Sequence, residues 1–141
     1  MPTVHKSRNS RASSMVETVC GSIILVIIAL FLVDVAAVVV CQTQNDALAK
    51  HCARAAANSA TYAAANSAAN QVVVEFNKTG GASKICVYNS YFLDGGYFNN
   101  GQAYVQTTVT CNFPVPIPFG PASLQFKADA IEPVVAAMPG P

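Results

Sequence analysis

Apolar residues crowd the first third of this chain and thin out abruptly after it. From Val19 to Cys41 the row VCGSIILVIIALFLVDVAAVVVC is apolar except for Ser22 and Asp34, and about 20 such residues suffice to cross a hydrocarbon core. The pattern predicts a spanning helix. Between Gly21 and Gly80 stand 58 residues with neither glycine nor proline, the two residues that most often interrupt a helix. The expectation is one uninterrupted helix from about Ser14 to about Val74, on the order of 90 Å long at the α-helical rise. Its second half changes character. From Ala47 to Ala69, 12 of 23 positions are alanine, and only Leu48 and Tyr62 are large apolar side chains. Such a face suits close packing of backbones better than a solitary solvated rod, with a spacer helix as the alternative.

Beyond Asn77 the periodicity shortens. Ten of the chain's twelve aromatic residues lie between Phe76 and Phe126, with all but one of its prolines beyond Asn77. Lys84 to Leu93 and Gln102 to Phe113 are rich in β-branched and aromatic residues, and DGGYFNNG between them holds turn chemistry. They read as a hairpin. Pro114, Pro116, Pro118 and Pro121 forbid a central strand, after which Leu124, Phe126, Ala128 and Ala130 alternate with Gln125, Lys127 and Asp129 as a third strand with one buried face. Val72 to Phe76 either finishes the helix or begins a fourth strand. The predicted fold is α+β: a long N-terminal helix, transmembrane and then Ala-rich, followed by a small antiparallel β-sheet head.

Charge orients this arrangement. The chain has 141 residues, 52% hydrophobic and 11% charged, with a formal net charge of +1. His5, Lys6, Arg8 and Arg11 precede the span with no acid before Glu17, and the positive-inside bias puts that end in the cytoplasm. The expected organisation is a basic cytoplasmic leader over 1–12, a transmembrane helix over 13–41, an Ala-rich helical continuation over 42–76 and an exported β-rich head over 77–141. The expected location is the inner or cytoplasmic membrane, single-pass, with the head outside. A cleaved secretory signal ending at Ala47-Leu48-Ala49 is the rival, opposed by the length of the apolar run and by acids at Glu17 and Asp34. No basic stripe interleaved with aromatics exists, so nucleic acid is not an expected partner.

Two cysteines, Cys86 and Cys111, fall on opposite arms of the hairpin at nearly equal distance from its turn, which predicts a disulfide in an oxidising compartment. Cys41 and Cys52 share a helix face but lie roughly 16 Å apart by the rise per residue, so only a partner chain is expected to bond either of them. Cys20 reads as helix packing. His5 and His51 stand in no spacing that makes a zinc site or a nucleophile and base pair; no metal, cofactor or catalytic centre is expected. Glu17 and Asp34 do require an explanation, because an ionised carboxylate in hydrocarbon costs several kcal/mol unless paired or protonated: either Glu17 lies at headgroup level and Asp34 near the outer interface with the helix shifted, or both acids find partners on neighbouring subunits.

The row RASSMVETVCGSIILVIIALFLVDVAAVVV resembles the TadE-like proteins, the minor pilins or pseudopilins of the tight-adherence pilus, over about Arg11 to Ala69. That family has a short basic leader, a small residue at a processing site, a glutamate five residues into the mature chain and a long apolar helix. The resemblance places Ala12 before the cut, Ser13 at the start of the mature protein and Glu17 at its fifth position. Asp34 matches an acid late in the family's apolar segment. Two departures are Ala12, where the family usually has glycine, and Thr18, where a bulky apolar residue often follows the glutamate. The β-rich tail agrees with a pilin head only in general form. The resemblance implies cleavage by a prepilin peptidase and assembly with other pilin subunits through the N-terminal helix. Glu17 would neutralise the N-terminal amine of a neighbouring subunit, and Asp34 would also find its partner on a neighbour. The function expected is a structural, non-enzymatic minor pilin subunit for adhesion or a secretion-type filament. The rivals are a major pilin and a membrane-anchored module whose head binds a ligand through Tyr88, Tyr91, Phe92, Tyr97 and Phe98.

Overall fold

The structure, a computed structural model, describes residues 8–78, 85–115 and 121–136, the first five of them by backbone alone. Its elements are α1 (Arg8–Ala57), α2 (Tyr62–Lys78), β1 (Cys86–Leu93), the short α3 (Gly95–Asn99), β2 (Gln102–Asn112) and β3 (Ser123–Pro133). The α+β arrangement read from the sequence is the one observed. The uninterrupted helix is not: it breaks at 58–61 and reverses direction, so that α2 runs back along α1.

The break occurs without glycine or proline, through side chains that compete with the helical backbone. Asn58, Ser59 and Thr61 fall together there. The Ser59 amide bonds the Ala56 carbonyl at 3.0 Å, a tighter turn than the α-helix, and the Thr61 hydroxyl accepts from the Ala64 amide at 3.3 Å. Thr61 is thus the N-cap of α2. The head fixes the end of α1, because the Val135 amide donates to the Ala57 carbonyl at 3.1 Å. Folding back lets two alanine faces bury one another: Ala53, Ala56, Ala65 and Ala69 are all fully buried. Val73, also buried, lies in the last turns of α2, so the open choice over Val72 to Phe76 is decided for helix.

The three strands form an antiparallel meander in the order β1-β2-β3. Their register pairs Cys86 with Cys111, Leu93 with Val105, Val105 with Ala130 and Val109 with Phe126. Alternation along β2 sends Ala103, Val105, Thr107, Val109 and Cys111 to the helix-facing side, all fully buried. In β1 the alternation is broken by a bulge between Tyr88 and Ser90, which inserts Asn89 and changes parity. Cys86 before it and Leu93 after it can therefore both face inward. The expected turn contains α3, whose N-cap Asp94 accepts from the Gly96 and Tyr97 amides at 2.7 and 3.2 Å. Gly101, at φ +82°, then turns the chain into β2 in a conformation that favours glycine.

Two apolar clusters result. The larger joins Leu48, Cys52 and the alanine faces to Leu93, Phe98, Val105 and Val134. The smaller, nearer the bare end of α1, gathers Ala37, Cys41, Cys86, Val109 and Cys111.

Candidate functional site

The site with the strongest physical signature is α1 itself. From Ser13 to Val33 no residue is buried; Leu25 is 68% exposed and Phe31 63%. An apolar stretch of that size exposed on all sides of a helix cannot be stable in water, since each such side chain forfeits about 1.5–3 kcal/mol of burial. Among the described residues α1 is the one helix long and apolar enough, by length and composition, to cross a membrane. Its polar residues are compatible with such a setting. The Thr18 hydroxyl donates to the Ser14 carbonyl at 2.9 Å and the Ser22 hydroxyl to the Thr18 carbonyl at 2.8 Å. Both satisfy their donors within their own helix, as a bilayer demands.

Asp34 marks the point where the bare helix ends. From Ser13 on it is the first buried residue of α1, and Ala37, Cys41, Asn45, Leu48 and Cys52 follow at spacings of three and four, the stripe of one helix face. The Val115 amide donates to its carboxylate oxygen Oδ1 at 3.2 Å. Asp34 thus has a hydrogen-bond partner in its own chain, on the segment that leaves β2. Glu17, by contrast, is exposed. Met15 to Val33 spans roughly 28 Å at 1.5 Å per residue, close to the thickness of a hydrocarbon core. Ala12 and Ser13 are both helical, and Ser13 is exposed.

One turn and more beyond the thiols, Asn45 is the polar centre of the helix–sheet contact. Its Nδ2 donates to the Phe126 carbonyl at 3.1 Å, and its Oδ1 accepts from the Thr107 hydroxyl at 2.7 Å. Asn45 and Thr107 are both buried, so this pair of side chains contributes to the register of α1 against β2 and β3. Sequence reasoning missed both. A signal existed, since Asn45 continues the stripe from Asp34 and Thr107 falls in the inward alternation of β2.

Cys86 and Cys111 stand directly opposite one another. All five cysteines are thiols in this structure. Cys41, expected to find a partner only on another chain, is instead buried in one apolar cluster with this pair. Its Sγ donates to the Ile85 carbonyl at 3.6 Å. Burial pushes the Cys111 thiol up to about 12, reinforced by Cys41 and by the Asp34 carboxylate. Cys52 is held apart, its Sγ donating to the Ala69 carbonyl at 3.7 Å, and burial pushes its thiol up to about 12. His51, next to it, is exposed and lines a groove between α1 and α2 with Gln44, Leu48, Val72 and Phe76. Of the aromatic residues considered as a binding surface, Phe92 and Tyr97 are exposed, whereas Phe98 is buried edge-on to Tyr62 at 6.1 Å. Among the described residues no group of histidine, cysteine and acidic side chains is arranged to hold a metal ion.

Comparison of the chain with protein-family models, with curated proteins and with solved structures finds no match.

Proposed function

We propose that this chain is a structural, non-enzymatic subunit of a pilus, of the minor pilin or pseudopilin type, assembled through α1. The observation that carries the reading is the continuity of α1: a bare apolar half with Glu17 near its start runs without interruption into a half that forms the core of the head. A tether for a binding module needs no such rigidity. A filament subunit does, because the exposed half must pack against copies of itself or its partners while the head is held at a fixed distance. The basic residues of the leader orient the chain with its N-terminus in the cytoplasm and its head outside.

On this reading a prepilin peptidase cuts between Ala12 and Ser13, and the new amine is neutralised by Glu17 of an adjacent subunit within the apolar filament core. Glu17 is exposed and therefore accessible to that partner. Asp34 also fixes the base of the head to α1 within the subunit, through the Val115 amide.

The decisive experiment is N-terminal sequencing and intact mass of the protein from its native membrane. A start at Ser13 is expected; an intact N-terminus leaves a permanent anchor and removes the pilin reading. Glu17→Ala should retain membrane insertion and lose incorporation into sheared filaments. Unchanged incorporation would remove the proposed role of Glu17.

A further inference from the structure

The three buried thiols at the base of the head support a step that a simple hairpin staple does not. Cys86 and Cys111 are directly paired across β1 and β2. The bond from the Asn112 amide to the Ile85 carbonyl, at 2.7 Å, flanks that pair. It identifies Cys86 and Cys111 as a non-hydrogen-bonded pair, the kind whose Cα atoms approach most closely, at about 4.5 Å, within the range a disulfide requires. Cys41 approaches from the third side. It sits on the inward stripe of α1 one turn beyond Ala37, fully buried in the same cluster as both strand cysteines, and its Sγ donates to the carbonyl of Ile85, the residue before Cys86, at 3.6 Å. Three thiols in one buried cluster hold one disulfide and leave one thiol over, and the remaining thiol is placed beside the bond it can attack.

We propose that Cys41, Cys86 and Cys111 form a disulfide-exchange site in which a strand–strand bond and a helix–strand bond are alternatives. The oxidant is a thiol disulfide, of low molecular weight or carried by a protein. Two cysteine thiols and one such disulfide give the cystine and two reduced oxidant thiols. Exchange then needs no further oxidant: Cys41 gives up its proton, and its sulfur attacks Cys86. The Cys86–Cys111 bond breaks, and the proton ends on the departing sulfur of Cys111. Attack on Cys111 instead gives the Cys41–Cys111 bond and releases Cys86. The two classes of product differ mechanically. Cys86–Cys111 staples the hairpin to itself, whereas either bond to Cys41 ties the sheet covalently to the helix just outside the bare apolar segment. The head is then fixed to α1 by a bond as well as by Asp34, Asn45 and the core.

The test uses the full chain purified in detergent, so its outcome is independent of where the head resides and of the pilus reading. Cys20→Ser removes the exposed thiol, and Cys52, in the other apolar cluster and apart from the three thiols, serves as the reference for a cysteine outside the exchange site. The protein is equilibrated with oxidised and reduced glutathione, quenched with acid, alkylated in denaturant so that every free thiol reacts, digested without reduction and mapped by mass spectrometry. Expected is a Cys86–Cys111 cross-link together with an intrachain Cys41 cross-link, with a corresponding partial loss of Cys41 alkylation. Cys41 fully alkylated at every glutathione ratio, or linked only between chains, would overturn the proposal on the wild-type cluster alone. In Cys86→Ser and Cys111→Ser, each retaining the helical circular dichroism of the parent, Cys41 should lose its alkylation almost completely to the remaining strand thiol. Folded variants in which Cys41 stays alkylatable would overturn it equally.

Discussion

The carboxylate of Asp34 and the backbone amide of Val115, 81 residues apart in sequence, meet at 3.2 Å where the bare half of α1 enters the head. A charged acceptor on a partly buried amide is the stronger class of hydrogen bond, and here it joins the helix to the segment leaving β2. Asp34→Ala should destabilise the head by about 2 kcal/mol, whereas Asp34→Asn, which retains an acceptor oxygen, should lose less than half of that. Thermal unfolding of the detergent-solubilised chain measures both. Equal losses would show that the charge, rather than the acceptor, holds Val115.

Asn45 and Thr107 form a second junction, buried on both sides. Asn45→Leu removes the bonds its side chain makes to the Thr107 hydroxyl and the Phe126 carbonyl, while the Thr107 hydroxyl keeps the backbone carbonyl of residue 45 at 3.3 Å, and should cost about 1–3 kcal/mol. Combining it with Thr107→Val should cost less than the sum of the two single changes, because both substitutions remove the same 2.7 Å side-chain bond. A double-mutant cycle by denaturant unfolding checks this coupling.

The alanine faces of α1 and α2 are in contact because nothing larger than a methyl group separates them. Ala69→Leu, at a fully buried position, should cost about 1–3 kcal/mol through overpacking. Ala63→Leu, on the exposed side of the same helix, should stay within about 0.5 kcal/mol. If both are neutral, the helix pair is not packed as described. Unfolding midpoints of the two variants against the parent decide the matter.

Burial of Cys52 gives the head a defined alkaline sensitivity. Its thiol is pushed up to about 12 in the folded chain from an ordinary value of 9.0. Between those two values the unfolded chain has released a proton that the folded chain retains, so the unfolded state binds fewer protons and stability falls as pH rises. The loss begins near pH 9 and continues toward 12. Tyr88, raised to about 12 by burial and then by Cys52, adds to it at the upper end of the range. In reducing buffer, Tm should be nearly flat up to about pH 9 and then decline, and Cys52→Ala should decline less steeply, by at most about 1.4 kcal/mol per pH unit. Parallel slopes in parent and variant would exclude Cys52 as a cause.

Much of this architecture was legible along the chain because it depends on local pattern. The run from Val19 to Cys41 is apolar in every turn, and no soluble packing accounts for that except a membrane or other helices. The β-branched rows around Cys86 and Cys111, with turn residues between them, determined a hairpin and even the level at which the two cysteines pair. Glycine at 101 was readable as a turn residue for the same local reason. The break at 58–61 was less visible: Asn58, Ser59 and Thr61 are weak helix formers and good caps, yet such residues also occur within helices. Only the gain from burying one alanine face on another, and the Val135 amide waiting for the Ala57 carbonyl, decides the matter.

What the sequence determined by itself is therefore the division of the chain into an apolar helix, an Ala-rich helical segment and a β-rich head, since each follows from the periodicity and chemistry of neighbouring residues. The tertiary structure decided who meets whom across long separations. Asp34 found Val115, Asn45 found Thr107, and Cys41 joined Cys86 and Cys111, because α1 lies across one face of the sheet at a single register. Periodicity states which face of an element is apolar; it does not state the height at which two faces are brought together. That height is set by the sum of packing and buried hydrogen bonds over the whole interface, a quantity no local stretch of residues contains.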